Sequence, residues 1–142
     1  MSTNSRNTRQ SLPIALLRAR ERVMVPVRGM LAKTGLTEQK WRVLRVLDEV
    51  GEVELSRLAQ EACLMLPSLT RMFKQMEEDG LVSRRSDPVD GRRSLAAITG
   101  DGREILTAYA QESQDILASF RKRLGEEKHK QLLELLDELQ GS

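Results

Sequence analysis

A mainly α-helical chain with one small β-hairpin is what these 142 residues predict, on three observations. Aromatic residues are few while Leu, Arg and Glu are abundant, a composition that favours helices. Apolar residues recur at helical spacing along most of the chain, most clearly at Leu69, Met72, Phe73 and Met76. Between residues 81 and 98 that period gives way to two short runs, 81–85 and 93–98. Pro88 and the pair Asp90-Gly91 mark a turn between them.

Taken in order, residues 1–10 are polar and read as a disordered arm with no leader sequence. Ser11 suits an N-cap and Pro13 the first turn of a helix over residues 12–33. That helix is apolar on two sides: Leu12, Leu16, Ala19, Val23, Val27 and Met30 form one, and Ile14, Leu17, Met24 and Leu31 the other. It should therefore pack against two bodies, and Pro26 inside it predicts a kink or a break. Gly35 ends it. Thr37 caps a helix over 38–50 with Trp41, Leu44 and Leu47 on one stripe, and Gly51 stops that helix.

Residues 54–61 make a short helix, 62–66 a turn, and 67–79 a second helix. Pro67 sits in its first turn, where a missing N–H has no consequence, and Gly80 closes it. With the hairpin that follows, this is the order of a winged helix-turn-helix. Thr99 caps a long helix over 101–123, Gly125 breaks it, and a last helix over 126–139 carries Leu132, Leu135, Leu136 and Leu139. The terminal helices suggest a dimerisation lobe; their stripes alone do not distinguish it from an intramolecular helical hairpin.

The face of helix 67–79 opposite its apolar stripe carries Ser68, Thr70, Arg71, Lys74 and Gln75. These side chains reach phosphates and base edges in the major groove. The acidic Glu77, Glu78 and Asp79 gather at the far end. The hairpin tip holds Asp90, Arg92 and Arg93, in position to enter the adjacent minor groove. A solvated amphipathic helix would explain the helix alone; the basic hairpin tip beside it points to duplex DNA.

Other classes lack their chemistry. A net charge of +2 excludes a polybasic coat for nucleic acid, so affinity has to come from a local surface. No apolar run approaches the ~20 residues of a membrane span. One cysteine, Cys63, forms no internal disulfide and fits a cytoplasmic protein. Its apolar neighbours Ala62, Leu64 and Met65 predict a plain buried thiol. There is one histidine, His129, and no zinc spacing, Gly-rich phosphate loop or nucleophile elbow. No catalytic residue, metal or cofactor is expected, and the chain does not read as an enzyme.

Two helices, a helix-turn-helix, the wing motif Asp90-Gly91-Arg92-Arg93, the sequence Ile98-Thr99-Gly100-Asp101-Gly102 and two further helices resemble the MarR family of bacterial transcriptional regulators. Residues 14–21, Met24, residues 36–42, Cys63 and Pro67-Ser68-Leu69-Thr70 are similar to its branch of homoprotocatechuate-degradation repressors. The resemblance runs from about residue 12 to 139. It departs at Leu66, where the branch has Arg, and at residues 71–75, where the branch has Gly-Ile-Leu-Thr-Arg, so the operator read should differ.

The resemblance implies a single domain over residues 1–142. A winged helix-turn-helix lobe would span about 36–99, and dimerisation helices about 11–34 and 100–140. It implies a homodimer on a pseudo-palindromic operator, repressing aromatic-catabolism genes until a small aromatic acid releases it. Asp90 would orient Arg92 by an ion pair, and Arg71 suits a bidentate contact to guanine. The acid would lie between the lobes against Leu17, Met24 and Trp41. Its carboxylate would need Arg18, Arg20 or Arg28, among which the sequence does not choose. Two alternatives stay open: a regulator of efflux or stress genes with another effector or none, and a helical protein-interaction module.

Overall fold

The structure is a computed structural model and describes residues 7–141; residues 1–6 of the expected polar arm lie outside it. Of the arm's remainder, Thr8–Gln10 forms one 3-10 turn, with the Asn7 side chain accepting from the Arg9 N–H at 3.0 Å. The elements that follow are α1 (Leu12–Thr34), α2 (Glu38–Val50), β1 (Val53–Glu54), α3 (Leu55–Glu61), α4 (Leu66–Glu78), β2 (Val82–Ser86), β3 (Ser94–Ile98), α5 (Gly100–Ala108), α6 (Ala110–Leu124) and α7 (Glu126–Gln140).

The expected fold class stands, with three local differences. Pro26 does not break α1, which is helical on both sides of it; a single missing N–H is tolerated when neighbouring turns keep their bonds. The long helix expected over 101–123 is two helices, because Tyr109 leaves the helical path (φ −109°, ψ 8°). Its hydroxyl donates to the Lys33 carbonyl at 3.1 Å, which ties the break to the end of α1. The third difference is β1. Two residues are too few for any period, but Val53 pairs with Ala96 and Glu54 with Leu95. The hairpin is thus a three-stranded antiparallel sheet in the order β1-β3-β2.

The chain forms two compact units, residues 30–111 and residues 1–29 with 112–142. In the first, α4 turns Leu69, Phe73 and Met76 inward, where each is fully buried. Leu58 of α3, Leu44 and Leu47 of α2 and Ala96 of β3 complete that core. Caps fix where its helices begin. The Thr37 hydroxyl accepts from the Lys40 N–H at 3.2 Å and the Thr99 hydroxyl from the Gly102 N–H at 3.1 Å, both as expected of N-cap threonines. Helix α4 ends at Gly80, whose φ of +77° is accessible to glycine at little cost.

The second unit is different. None of its described residues is buried. Leu12, Leu17, Leu133, Leu135 and Leu139 are all more than half exposed. Helices α6 and α7 have amphipathic sequences whose apolar sides are only partly covered in one chain, with Ile116, Phe120 and Leu136 half-buried.

An ion pair reaches across the sheet of the first unit, from β2 to the residue before β1. Arg85 donates Nε and an η nitrogen to the two Glu52 carboxylate oxygens at 2.7 and 2.6 Å. The Arg85 hydrogen bond holds the Glu52 carboxyl below its ordinary value of 4.5. A depressed carboxyl contributes stability in full above its unfolded value and loses it as pH falls through the folded one. Acid unfolding followed by circular dichroism should therefore be less steep below about pH 4.5 in Glu52→Gln than in the parent. Identical acid limbs for the two proteins would remove this role.

Candidate nucleic-acid interface

Helix α4 is placed by its buried stripe, so its opposite face is fixed in solvent. Ser68, Thr70, Arg71, Lys74 and Gln75 are all exposed, as the spacing predicts. Arg71 and Lys74 take part in no ion pair among the described residues. The Thr70 hydroxyl behaves differently: it donates to the Leu66 carbonyl at 2.9 Å, within its own helix. A shallow groove between the start of α2 and this face is lined by Thr37, Lys40, Ser68, Arg71 and Gln75.

Three arginines elsewhere in the unit are paired. Arg84 pairs with Glu77, at the acidic end of α4, and its guanidinium lies 5.6 Å from the centre of the Phe73 ring. Arg85 pairs with Glu52, and Arg103 with Asp48 at 3.3 Å. Arg84, Arg85 and Arg103 thus have carboxylate partners, and among the described residues Arg71 and Lys74 on the outer face of α4 do not.

The wing tip is a built turn. The Asp87 N–H donates to the Arg93 carbonyl at 2.9 Å and the Arg93 N–H to the Asp90 carbonyl at 3.0 Å. The Val89 N–H is held by the Asp87 carboxylate at 2.8 Å and the Arg92 N–H by the Asp90 carboxylate at 3.1 Å. Its two arginines then part ways. The Arg92 side chain is 96% exposed, with Asp90 3.7 Å from its Nε. Arg93 folds back onto Glu54 at 2.7 Å and onto Asp90 at 3.5 Å. Arg92 projects from the tip while Arg93 braces it against β1.

Cys63 is exposed, against the expectation of a buried thiol. The chain takes φ +55° there to turn from α3 into α4, and the fully buried position falls to Ala62. Among the effector candidates, Arg18, Arg20 and Arg28 lie on α1. Arg18 donates to the Thr8 hydroxyl at 3.0 Å. Arg28 grips both Glu21 carboxylate oxygens at 2.9 and 3.0 Å. That hydrogen bond, with lesser help from Arg20, keeps the Glu21 carboxyl below 4.5. Trp41 is buried in α2, in the unit of residues 30–111. The carboxylates that brace the wing, Glu52 and Glu54, had no signal in the sequence, since each meets its arginine only through the sheet.

A winged helix-turn-helix with a projecting basic tip and a free cationic helix face defines a DNA-binding protein of the regulator type. Comparison with known proteins agrees. Residues 36–94 match the MarR family model. The homoprotocatechuate degradative operon repressor of Escherichia coli is 36% identical over 128 residues, 90% of this chain and 86% of the repressor. The HTH-type transcriptional regulator FarR of Neisseria gonorrhoeae is 34% identical over 139 residues, 98% of this chain and 94% of FarR. The crystal structure of NadR in complex with 4-hydroxyphenylacetate superposes with a TM-score of 0.86 at 34% identity, covering 98% of this chain and 97% of that one. The chain belongs to the MarR family of transcriptional regulators. Among the described residues no helix is long and apolar enough to cross a membrane.

Proposed function

We propose that the chain is a dimeric repressor that holds a pseudo-palindromic operator and leaves it when a small aromatic acid binds, so controlling genes for aromatic-compound breakdown. The observation that carries the DNA part is the cationic outer face of α4 beside a projecting wing arginine. Arg71 and Lys74 are unpaired on the outer face of α4 and Arg92 projects from the wing, while Arg84, Arg85, Arg93 and Arg103 have carboxylate partners. Arg71 takes a guanine edge in the major groove, Ser68, Lys74 and Gln75 hold neighbouring phosphates or edges, and Arg92 enters the minor groove oriented by Asp90.

Dimerisation is supported by the uncovered leucines of α1, α6 and α7, since a face of this kind needs a partner. The effector class is supported by the relatives: one is a homoprotocatechuate operon repressor and another has been crystallised with 4-hydroxyphenylacetate. The carboxylate of such an acid pairs with Arg18, Arg20 or Arg28 of α1. At Arg28 it has to displace Glu21, and at Arg18 only the Thr8 hydroxyl. The acid releases DNA to the extent that it binds the DNA-free state more tightly.

Fluorescence anisotropy of the protein on its own upstream DNA tests both parts. Salt-sensitive binding that 4-hydroxyphenylacetate or a related acid reverses is the expected result. Binding that no aromatic acid disturbs removes the effector reading and keeps the DNA one.

A further inference from the structure

Two large apolar side chains stand in solvent at the start of α4, in the same part of the fold as its reading face. Met65, the residue before the helix, is 76% exposed, and Leu66, its first residue, is 43% exposed. Neither is needed by the core, which α4 fills with Leu69, Phe73 and Met76. Leu66 and Thr70 are four apart and share one side of the helix. Both line the groove beside Ser56 and Arg93. The Thr70 hydroxyl is engaged by the Leu66 carbonyl, so what Thr70 offers a ligand is chiefly its methyl group. Leu66 and Thr70 thus make a small apolar seat at the leading end of the helix, with Met65 exposed just before it and Pro67 exposed just after Leu66.

We infer that this seat reads thymine 5-methyl groups in each operator half-site. The inference rests on the DNA-binding reading above and adds a specificity element to it. The N-terminal residues of a recognition helix are those that approach base edges. In the major groove the thymine methyl is the one apolar group that a base pair presents, and apolar side chains are its partners. The unpaired Arg71 and Lys74 on the same helix supply the charge complementarity that brings a phosphate backbone to this end of the molecule. A leucine at position 66 has no hydrogen bond to give a base, so its contribution to sequence choice is contact with a methyl group and exclusion of water.

Deoxyuridine in place of thymine deletes that methyl and leaves base pairing intact, so the test needs no change in the protein. The full-length protein is titrated onto its footprinted upstream operator and onto copies carrying deoxyuridine at single symmetry-related thymine pairs. Each seated methyl should be worth about fourfold in affinity, the usual effect of burying one carbon. Met65→Ala or Leu66→Ala should lose a similar factor on the thymine operator and become indifferent to deoxyuridine. Both residues are exposed, so these variants should keep the parent's thermal unfolding. Unchanged affinity of the parent for every deoxyuridine operator overturns the inference while leaving the DNA-binding reading intact. Variants that remain as sensitive as the parent overturn the assignment to these side chains. No binding to the thymine operator at all overturns the DNA-binding reading and this inference with it.

Discussion

Gly102→Ala is expected to destabilise the unit of residues 30–111 by about 3 kcal/mol or more, the scale of a clash that the packing cannot relax. A Cβ at this position would lie 2.3 Å from the Leu81 carbonyl oxygen, 2.9 Å from the Ile98 side chain and 3.3 Å from the Leu44 side chain. The carbonyl has nowhere to go. It accepts the Thr99 N–H at 3.1 Å, and the Thr99 hydroxyl reaches the neighbouring Gly80 carbonyl at 2.7 Å. Relieving the clash means moving α5 off the hairpin base and breaking the Thr99 cap. Gly100→Ala is the internal control, because nothing lies within 4 Å of a Cβ there. Urea unfolding followed by circular dichroism should separate the two variants widely. Equal midpoints for Gly102→Ala and the parent would show that the helix start yields more easily than its bonds imply.

The second large effect concerns the two arginines given different tasks. Arg92→Ala should leave folding unchanged, since the side chain is 96% exposed and the tip is held by backbone bonds. It should weaken binding to all duplexes alike. For a dimer it should also reduce the slope of log affinity against log salt by about two, one counterion for each wing. Arg71→Ala should lose ~1–3 kcal/mol per half-site and relax the preference at one base pair, because a bidentate base contact carries sequence information and a phosphate contact does not. Competition binding against operators varied at each position distinguishes the two outcomes. An Arg71→Ala protein with the parent's base preference would sink the assignment of guanine reading to that residue. Arg93→Ala should behave as neither: with its Glu54 and Asp90 contacts gone, it should loosen the wing rather than remove a reader.

Much of this was readable before any coordinates, because the relevant signals are local. The period at Leu69, Phe73 and Met76 fixed which side of α4 faces inward, and therefore which side faces out. Thr37, Thr99 and Gly80 act within three residues of themselves, so their positions bracketed the helices. What escaped was either too short or too distant. Strand β1 has two residues and exists through β3. The break at Tyr109 coincides with a hydrogen bond from its hydroxyl to the Lys33 carbonyl, far back in the chain. Apolar neighbours suggested that Cys63 is buried, but one residue in a tight turn has to point outward whatever flanks it. The division of labour between Arg92 and Arg93 was equally invisible, since the motif writes them side by side. It is Glu54, on another strand, that draws one of them back.

The unit that buries none of its described residues sets a condition on the cell as well as on the molecule. Its exposed leucines need a second chain to cover them, so their protection depends on how many copies are present. When copies are scarce, the leucine-rich ends are what a protease or chaperone encounters first. Abundance and integrity are then coupled.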